Sequence, residues 1–263
     1  MRLKITHRTE YRYDAPVRYA LQRLRLVPPS GSTQKVGLWK LDVTGGREQL
    51  RFLDQFNNDT HLISVEGEQQ LIAIESSGQV ETADTAGVSG PHRGFAPLWL
   101  FQSETPLTEM GEGVRSIAAG VADGDDIPRL HHLMAAIRER VAYKTGSTTS
   151  ATKAEEAIER GEGVCQDHAH IFISAARRLG FPARYVSGYL KMAEAEQAAS
   201  HAWAEAHVAQ LGWVAFDVAN GISPDEAYVR VAIGRDYRDA MPVSGIRLSA
   251  GEENLAVRIT VEQ

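Results

Sequence analysis

The hydrophobic period of this chain changes twice along its length, and that change limits the folds open to it more than any other feature. In the opening segment Leu3, Ile5, Tyr11 and Tyr13 share one alternating phase, with His7 and Thr9 as polar members of it. Leu24 and Leu26 repeat the alternation before Pro28-Pro29 ends it, and Leu41 and Val43 repeat it before Gly45-Gly46. Alternation places every second side chain on one face of a strand. Further short strands are expected over 49–56, 60–66 and 70–76, with Asn57-Asn58-Asp59 as a turn. Short strands at this spacing predict a sandwich or small barrel.

Residues 83–97 hold Gly87, Gly90, Pro91, Gly94 and Pro97, a composition typical of a linker. Beyond it the period becomes helical. Thr105-Pro106 reads as a cap followed by a first helical residue, with Leu107, Met110, Val114 and Ile117 as the stripe, weakened by Gly111 and Gly113. Asp125-Asp126 can cap a second helix whose apolar face carries Ile127, Leu130, Met134, Ile137 and Val141. A short third helix is expected over 153–160 and a fourth over 164–180. From Phe181 strands return, over 183–190, 201–209, 213–217, 227–233 and 254–261. Helices followed by antiparallel strands make an α+β fold. The expected division is a β-rich accessory unit over 1–88, a linker over 89–104 and an α+β unit over 105–263.

Charge and cysteine content narrow the function. A net charge of −6 with no long basic run argues against nucleic acid or an anionic membrane as partner. No apolar run approaches the ~18 residues of a membrane span. The first ten residues lack the apolar core of a secretory signal. With a single cysteine as well, a reducing cytoplasm is the expected compartment.

That cysteine, Cys165, lies in Gly161-Glu-Gly-Val-Cys-Gln-Asp-His-Ala-His170. It can be a buried packing residue or a reactive thiol. Glycines at 161 and 163 followed by a helix would put it in the helix's first turn, where unpaired N–H groups and the positive dipole end stabilise an anion. A thiol nucleophile needs a base, and the base a partner that fixes its tautomer. His201-Ala-Trp-Ala-Glu205 opens a predicted strand with a histidine, and Gly212-Trp-Val-Ala-Phe-Asp217 closes the next with a carboxylate. A hairpin through 210–212 would set both at one end of the sheet.

This ordered set resembles the bacterial branch of the transglutaminase-like cysteine enzymes. Gly163-Val-Cys-Gln-Asp167 is similar to the family's nucleophile segment and Leu179-Gly-Phe-Pro-Ala-Arg-Tyr-Val-Ser-Gly-Tyr-Leu190 to the strand that follows it. His201-Ala-Trp-Ala-Glu205 resembles the histidine segment. Gly234-Arg-Asp-Tyr-Arg-Asp239, with Pro242 and Gly245, resembles a stretch typical of the bacterial members. The opening Thr6-His-Arg-Thr-Glu-Tyr-Arg-Tyr13 resembles their amino-terminal domain. The resemblance implies a papain-like catalytic core with Cys165 as nucleophile, His201 as general base and acid, and Asp217 as its orienting carboxylate. Where the family continues its aspartate with Pro-Thr, this chain has Val218-Ala219, a less constrained turn.

Other candidates surround these three. Tyr143 could donate to an oxyanion, and Gln166 and Asp167 could shape the cleft or cap the helix. Trp203 would share a strand face with His201 and shield it, or simply pack. Asp236 and Tyr237 would border the cleft or pin a turn. Glu205 is expected to be solvated or hydrogen-bonded, His168 to lie at the surface or cleft, and His170 to be a satisfied helix histidine. Cys165, His168 and His201 could form a three-ligand metal set, but thiol chemistry accounts for the same cysteine, so neither metal nor cofactor is expected. The expected function is thiol-dependent acyl transfer on the peptide or isopeptide carboxamides of a peptide or protein substrate, ending in hydrolysis. The alternatives are glutamine–lysine crosslinking and a non-catalytic peptide-binding module.

Overall fold

The computed structural model describes residues 1–248 and 251–263. In chain order its elements begin with β1 (Arg2–Val27), β2 (Gln34–Thr44), β3 (Arg47–Leu53), β4 (Asp59–Thr82) and β5 (Val88–Gly90). A 3-10 turn (Leu98–Gln102) leads to α1 (Glu112–Ala119), α2 (Asp126–Arg140), β6 (Ala142–Tyr143), α3 (Ala154–Arg160), β7 (Glu162–Gly163) and α4 (Cys165–Arg178). Then come β8 (Ala183–Leu190), β9 (Glu196–Gln197), β10 (His201–Val208), β11 (Gly212–Phe216), β12 (Tyr228–Gly234), α5 (Tyr237–Ala240), β13 (Val243–Leu248) and β14 (Glu253–Glu262).

The α+β class expected from the period change is what the chain adopts. The β-rich part is built differently from the expectation, on two very long antiparallel strands rather than many short ones. β1 and β4 pair along almost their whole length, with register shifts between Arg12 and Tyr19. Pro16 falls in that irregular stretch, where its missing N–H costs no ladder bond, and Gly67 (φ +87°) falls in the second of the shifts, between the partners of Val17 and Tyr19. The shift splits each long strand into two segments. One segment carries β2 and β14 as neighbours, the other β3 and β13. Leu24, Leu26 and Ile63 from one segment pack with Ile74, Leu41 and Val43 from the other, so the bent sheet buries its own inner face.

A second sheet, in the order β12-β8-β10-β11-β5, carries α4 on one face. Alanines 202, 204 and 206 of β10 leave room for that helix, and the core of this layer is Ile171, Phe172, Phe216 and Tyr185 together with α1–α3. The residues that hold α4 in place were not evident from the sequence. Arg177 is buried and donates from all three guanidinium nitrogens to four acceptors: Phe101 O, Thr108 Oγ1, Ala183 O and Arg235 O, at 2.8, 2.7, 3.0 and 2.7 Å. The 101–108 segment, the start of β8 and the residue before α5's cap are thereby tied to one helix face.

Three expectations need correction. The first predicted helix starts at Glu112 rather than after Thr105, because Thr105 and Thr108 close a turn on each other. The N-terminal N–H groups of α1 are capped from outside: Glu155 of α3 accepts from Gly113 and Val114. Gly111 and Gly113 make that approach possible, since a Cβ on either would fall within 2.6 Å of an α3 side chain. Second, the 89–104 segment is not a free linker, because β5 joins the second sheet by pairing with β11. Third, β13 and β14, grouped by sequence with 105–263, hydrogen-bond to β1.

The two layers meet along β12, an edge strand of its sheet. Its unpaired backbone is covered by two side-chain amides from the β-rich layer. The Gln34 amide accepts from Arg230 N–H and donates to Arg230 O, each at 2.8 Å. The Asn58 amide does the same to Ile233, again at 2.8 Å in both directions. Each amide takes the place of a neighbouring strand. Replacing Asn58 by alanine strips both Ile233 partners at a buried seam and is expected to cost about 2–4 kcal/mol in urea unfolding. A loss below about 0.5 kcal/mol would show that the edge is held by something else.

Candidate active site

The start of α4 is set by the residues before it. Gly161, at φ +68°, ends α3, and Glu162-Gly163 then pairs parallel with Ala142-Tyr143. Val164 is extended and Cys165 opens the helix. Asp167 Oδ2 accepts from Val164 N–H at 2.8 Å and from Thr148 Oγ1 at 2.6 Å, fixing this entry. The helical ladder starts with His168 N–H on Val164 O at 3.1 Å. The N–H groups of Cys165 and Gln166 therefore precede it, with no acceptor inside the helix, at its positive end. Cys165 itself is partly buried and packs against the α4 core.

His201 opens β10 and Asp217 follows β11. Ala204 pairs with Phe216, so the two side chains are offset in register, yet His201 Nε2 lies 2.6 Å from Asp217 Oδ2. That leaves Nδ1 for the thiol. Burial alone would push the imidazole down. Hydrogen bonds to Asp217 and Cys165 and the charges of both outweigh it, and His201 is pushed up to about 10.

Asp217 has no exposed surface and is more firmly held than its altered turn suggested. Its Oδ2 also accepts from Asn220 Nδ2 and Tyr228 OH, each at 2.7 Å, and its Oδ1 from Asn220 N–H at 3.2 Å. The backbone closes the same turn, with Gly221 N–H on Asp217 O at 2.7 Å and Gly221 at φ +71°. Burial would raise this carboxyl, but the hydrogen bond and charge of His201, then Asn220 and Tyr228, keep it below the usual range. Val218, in place of the family's proline, is buried in the α4 core. Asn220-Gly221 was a readable turn signal. Tyr228, eleven residues on, had none.

Trp203 lies on the same strand face as His201, its ring stacked on the imidazole at 6.2 Å and 28°. Gly188 on β8 is needed there, since a Cβ would fall 2.6 Å from the indole. Tyr143 is 53% exposed, its ring stacked at 6.2 Å on His168. Partial burial, then the charges of Cys165 and Asp217, raise its hydroxyl, which places it within electrostatic reach of the thiol. Gln166 is partly buried beside Cys165 in the first turn of α4.

Other candidates lie apart from this group. Asp236 is buried and caps α5, accepting from Arg238 N–H at 2.8 Å. Tyr237 N–H donates to His170 Nε2 at 3.1 Å, so the pair fastens α5 to α4. His170 is fully buried, and burial pushes it down to about 3. It is only half satisfied, since Nδ1 has no partner among the described residues. His168, expected at the surface or cleft, is buried, with Nδ1 at 3.0 Å from Val164 O and Nε2 at 2.9 Å from Val141 O. Both its nitrogens face carbonyl oxygens, which removes it from the metal set considered above. Among the described residues no group of three or more His, Cys, Asp or Glu side chains could hold a metal ion. Glu205 is buried and paired with Arg184 rather than solvated.

Comparison with known proteins agrees with this architecture. Residues 115–218 match the model of the transglutaminase-like superfamily, and residues 3–81 that of the bacterial transglutaminase-like N-terminal region. An uncharacterized protein of Mycobacterium leprae is 27% identical, with 99% of this chain and 98% of that protein covered. One of Mycobacterium tuberculosis is 29% identical over 99% of this chain and 92% of its own. The crystal structure of a candidate cysteine protease from Cytophaga hutchinsonii superposes with a TM-score of 0.79 at 20% identity, covering 100% of this chain and 91% of that one. One match lies on the long-stranded sheet and the other spans α4 and the strands β8, β10 and β11 packed beside it. The chain thus carries, over 115–218, a region that matches the transglutaminase-like superfamily and, ahead of it over 3–81, a bacterial transglutaminase-like N-terminal region.

Proposed function

We propose that the chain is a cysteine hydrolase acting on peptide or protein carboxamides through Cys165, His201 and Asp217. The observation that carries this reading is the His201 imidazole, gripped at 2.6 Å by Asp217 on one side and coupled to Cys165 on the other. In the first half-reaction the Cys165 sulfur attacks the carboxamide carbon. The N–H groups at the start of α4 receive the oxyanion, with the Tyr143 hydroxyl as a second donor. The imidazolium of His201 gives its proton to the departing amine, leaving a thioester on Cys165. In the second, His201 takes a proton from water as the oxygen attacks the thioester, and the carboxylic acid leaves as the thiolate and imidazolium reform. Asp217 keeps the ring aligned throughout, and Trp203 shields it from water. A reducing compartment would keep the single thiol free.

The test offers a glutamine-containing protein with and without a labelled primary amine. Peptide cleavage or ammonia release, giving carboxylate products, is expected in both samples. Amine incorporation without net hydrolysis would instead make the second nucleophile a lysine-type amine and the protein a crosslinking enzyme. Saturable peptide binding with no turnover would make it a binding module.

A further inference from the structure

We propose that the chain has a second binding site, for a small molecule bearing a carboxylate or phosphate group, in the cavity where β12 meets the β-rich layer. This cavity is about 410 Å³ and is lined by the β12 segment 230–233, the 29–32 turn, the 56–58 turn and residues before the 3-10 turn. That volume lies in the range of ordinary ligand pockets, and a seam between two layers is a common place for one. The inference does not depend on the acyl-transfer reading. Glu205, beside the cavity, is four residues along β10 from His201, about 13 Å at the rise of a strand.

Charge identifies the ligand class. Three guanidiniums, Arg93, Arg184 and Arg230, line the cavity, and no aspartate or glutamate does. Two buried carboxylates stand behind the lining and both are already engaged: Asp54, under the 56–58 turn, pairs with Arg25 outside the cavity, and Glu205 lies behind the arginines. Glu205 takes Arg184 Nε and Nη2 on Oε2 at 2.6 and 2.5 Å. Its Oε1 accepts from Ser89 Oγ at 2.6 Å and lies 3.5 Å from Arg230 Nη1. One carboxylate thus offsets one of three cations. A positive excess of two charges is left in a chain whose net charge is −6, a local field opposite in sign to the whole molecule.

Arg184 is also pre-aimed. Its side chain is 5% exposed and its guanidinium lies 4.0 Å over the Trp213 ring, so the fork cannot swing away. Because Glu205 occupies Nε and Nη2, the remaining Nη1 edge has no partner among the described residues. Burial pushes this guanidinium down to about 10 even with Glu205 in place, so a further anion would relieve an uncompensated desolvation. The walls that hold Arg230 and the 56–58 turn are rigid, since the Gln34 and Asn58 amides pin them to β12. An oxyanion entering here meets fixed donors with little reorganisation, which is the condition for selective carboxylate or phosphate recognition.

The test titrates the full-length protein with inorganic phosphate and with citrate at constant ionic strength, chloride serving as control, by calorimetry. Saturable binding of at least one anion with a dissociation constant of about 1 mM or tighter is expected, and which anion binds decides between phosphate and carboxylate. Arg93→Ala and Arg230→Gln should each weaken it by about tenfold or more. Arg93 is exposed, so its variant keeps the fold, and unchanged thermal unfolding in chloride verifies this. Cys165→Ala should bind the anion as the wild type does, which separates this site from the reaction centre. No saturation by about 20 mM of either anion, or saturation unaffected in both arginine variants, would overturn the proposal.

Discussion

Cys165→Ala is expected to lower kcat/KM by about 10⁴-fold or more while leaving the protein folded, because the covalent route has no substitute nucleophile. The side chain is partly buried and small, so the change should cost no more than about 1 kcal/mol of stability. Residual turnover would come from binding and from the N–H groups at the α4 start, which the substitution leaves in place. Steady-state rates on a cleaved peptide, with urea unfolding of both proteins, measure the two quantities. A variant that unfolds in parallel with its loss of rate would assign Cys165 to packing instead. A variant that keeps its rate would remove the thiol from the reaction.

Much of this site could be read from local pattern. Glycines 161 and 163 followed by an apolar periodic run located the first turn of α4, because helix entry is decided by a few adjacent residues. β8, β10 and β11 were placed within a residue or so, since each is bounded by Gly, Pro or a turn. The offset of His201 and Asp217 across the hairpin followed from one residue opening its strand and the other ending the next.

What escaped is non-local. Nothing in the sequence of 254–261 says that this strand joins β1, more than two hundred residues away, nor that a bulge at Pro16 lets β1 run on unbroken. Long-range pairing depends on which exposed edge is free, and that is known only once the other strands are placed. The same holds for polar side chains acting across the seam. Gln34 and Asn58 look like ordinary turn residues, Glu155 like an exposed helix glutamate and Tyr228 like a strand aromatic. Each takes its role from a backbone or carboxylate brought to it by folding. The Val218-Ala219 departure misled for a related reason: the firmness of Asp217 comes from Asn220 and Tyr228 rather than from the two residues after it.

The imidazole of His201 should couple the stability of the molecule strongly to pH. Its ordinary value is near 6.5, and Asp217 and Cys165 push it up to about 10. A group raised on folding contributes stability that is fully present below about pH 6.5 and is lost as pH rises through about 10. The measurable quantity is the midpoint of the imidazole signal, followed by nitrogen NMR. Asp217→Asn and Cys165→Ala each remove one raising partner and should lower that midpoint by about one unit or more, with burial then dominating. His201→Ala should slow alkylation of Cys165 by iodoacetamide at pH 7 by about tenfold or more, since the imidazole that takes the thiol's proton is gone. The variant's stability should also lose the fall between about pH 7 and 10 that is expected of the wild type. An alkylation rate that does not change on removing His201 would mean that the imidazole, although within reach of the thiol, does not hold its proton.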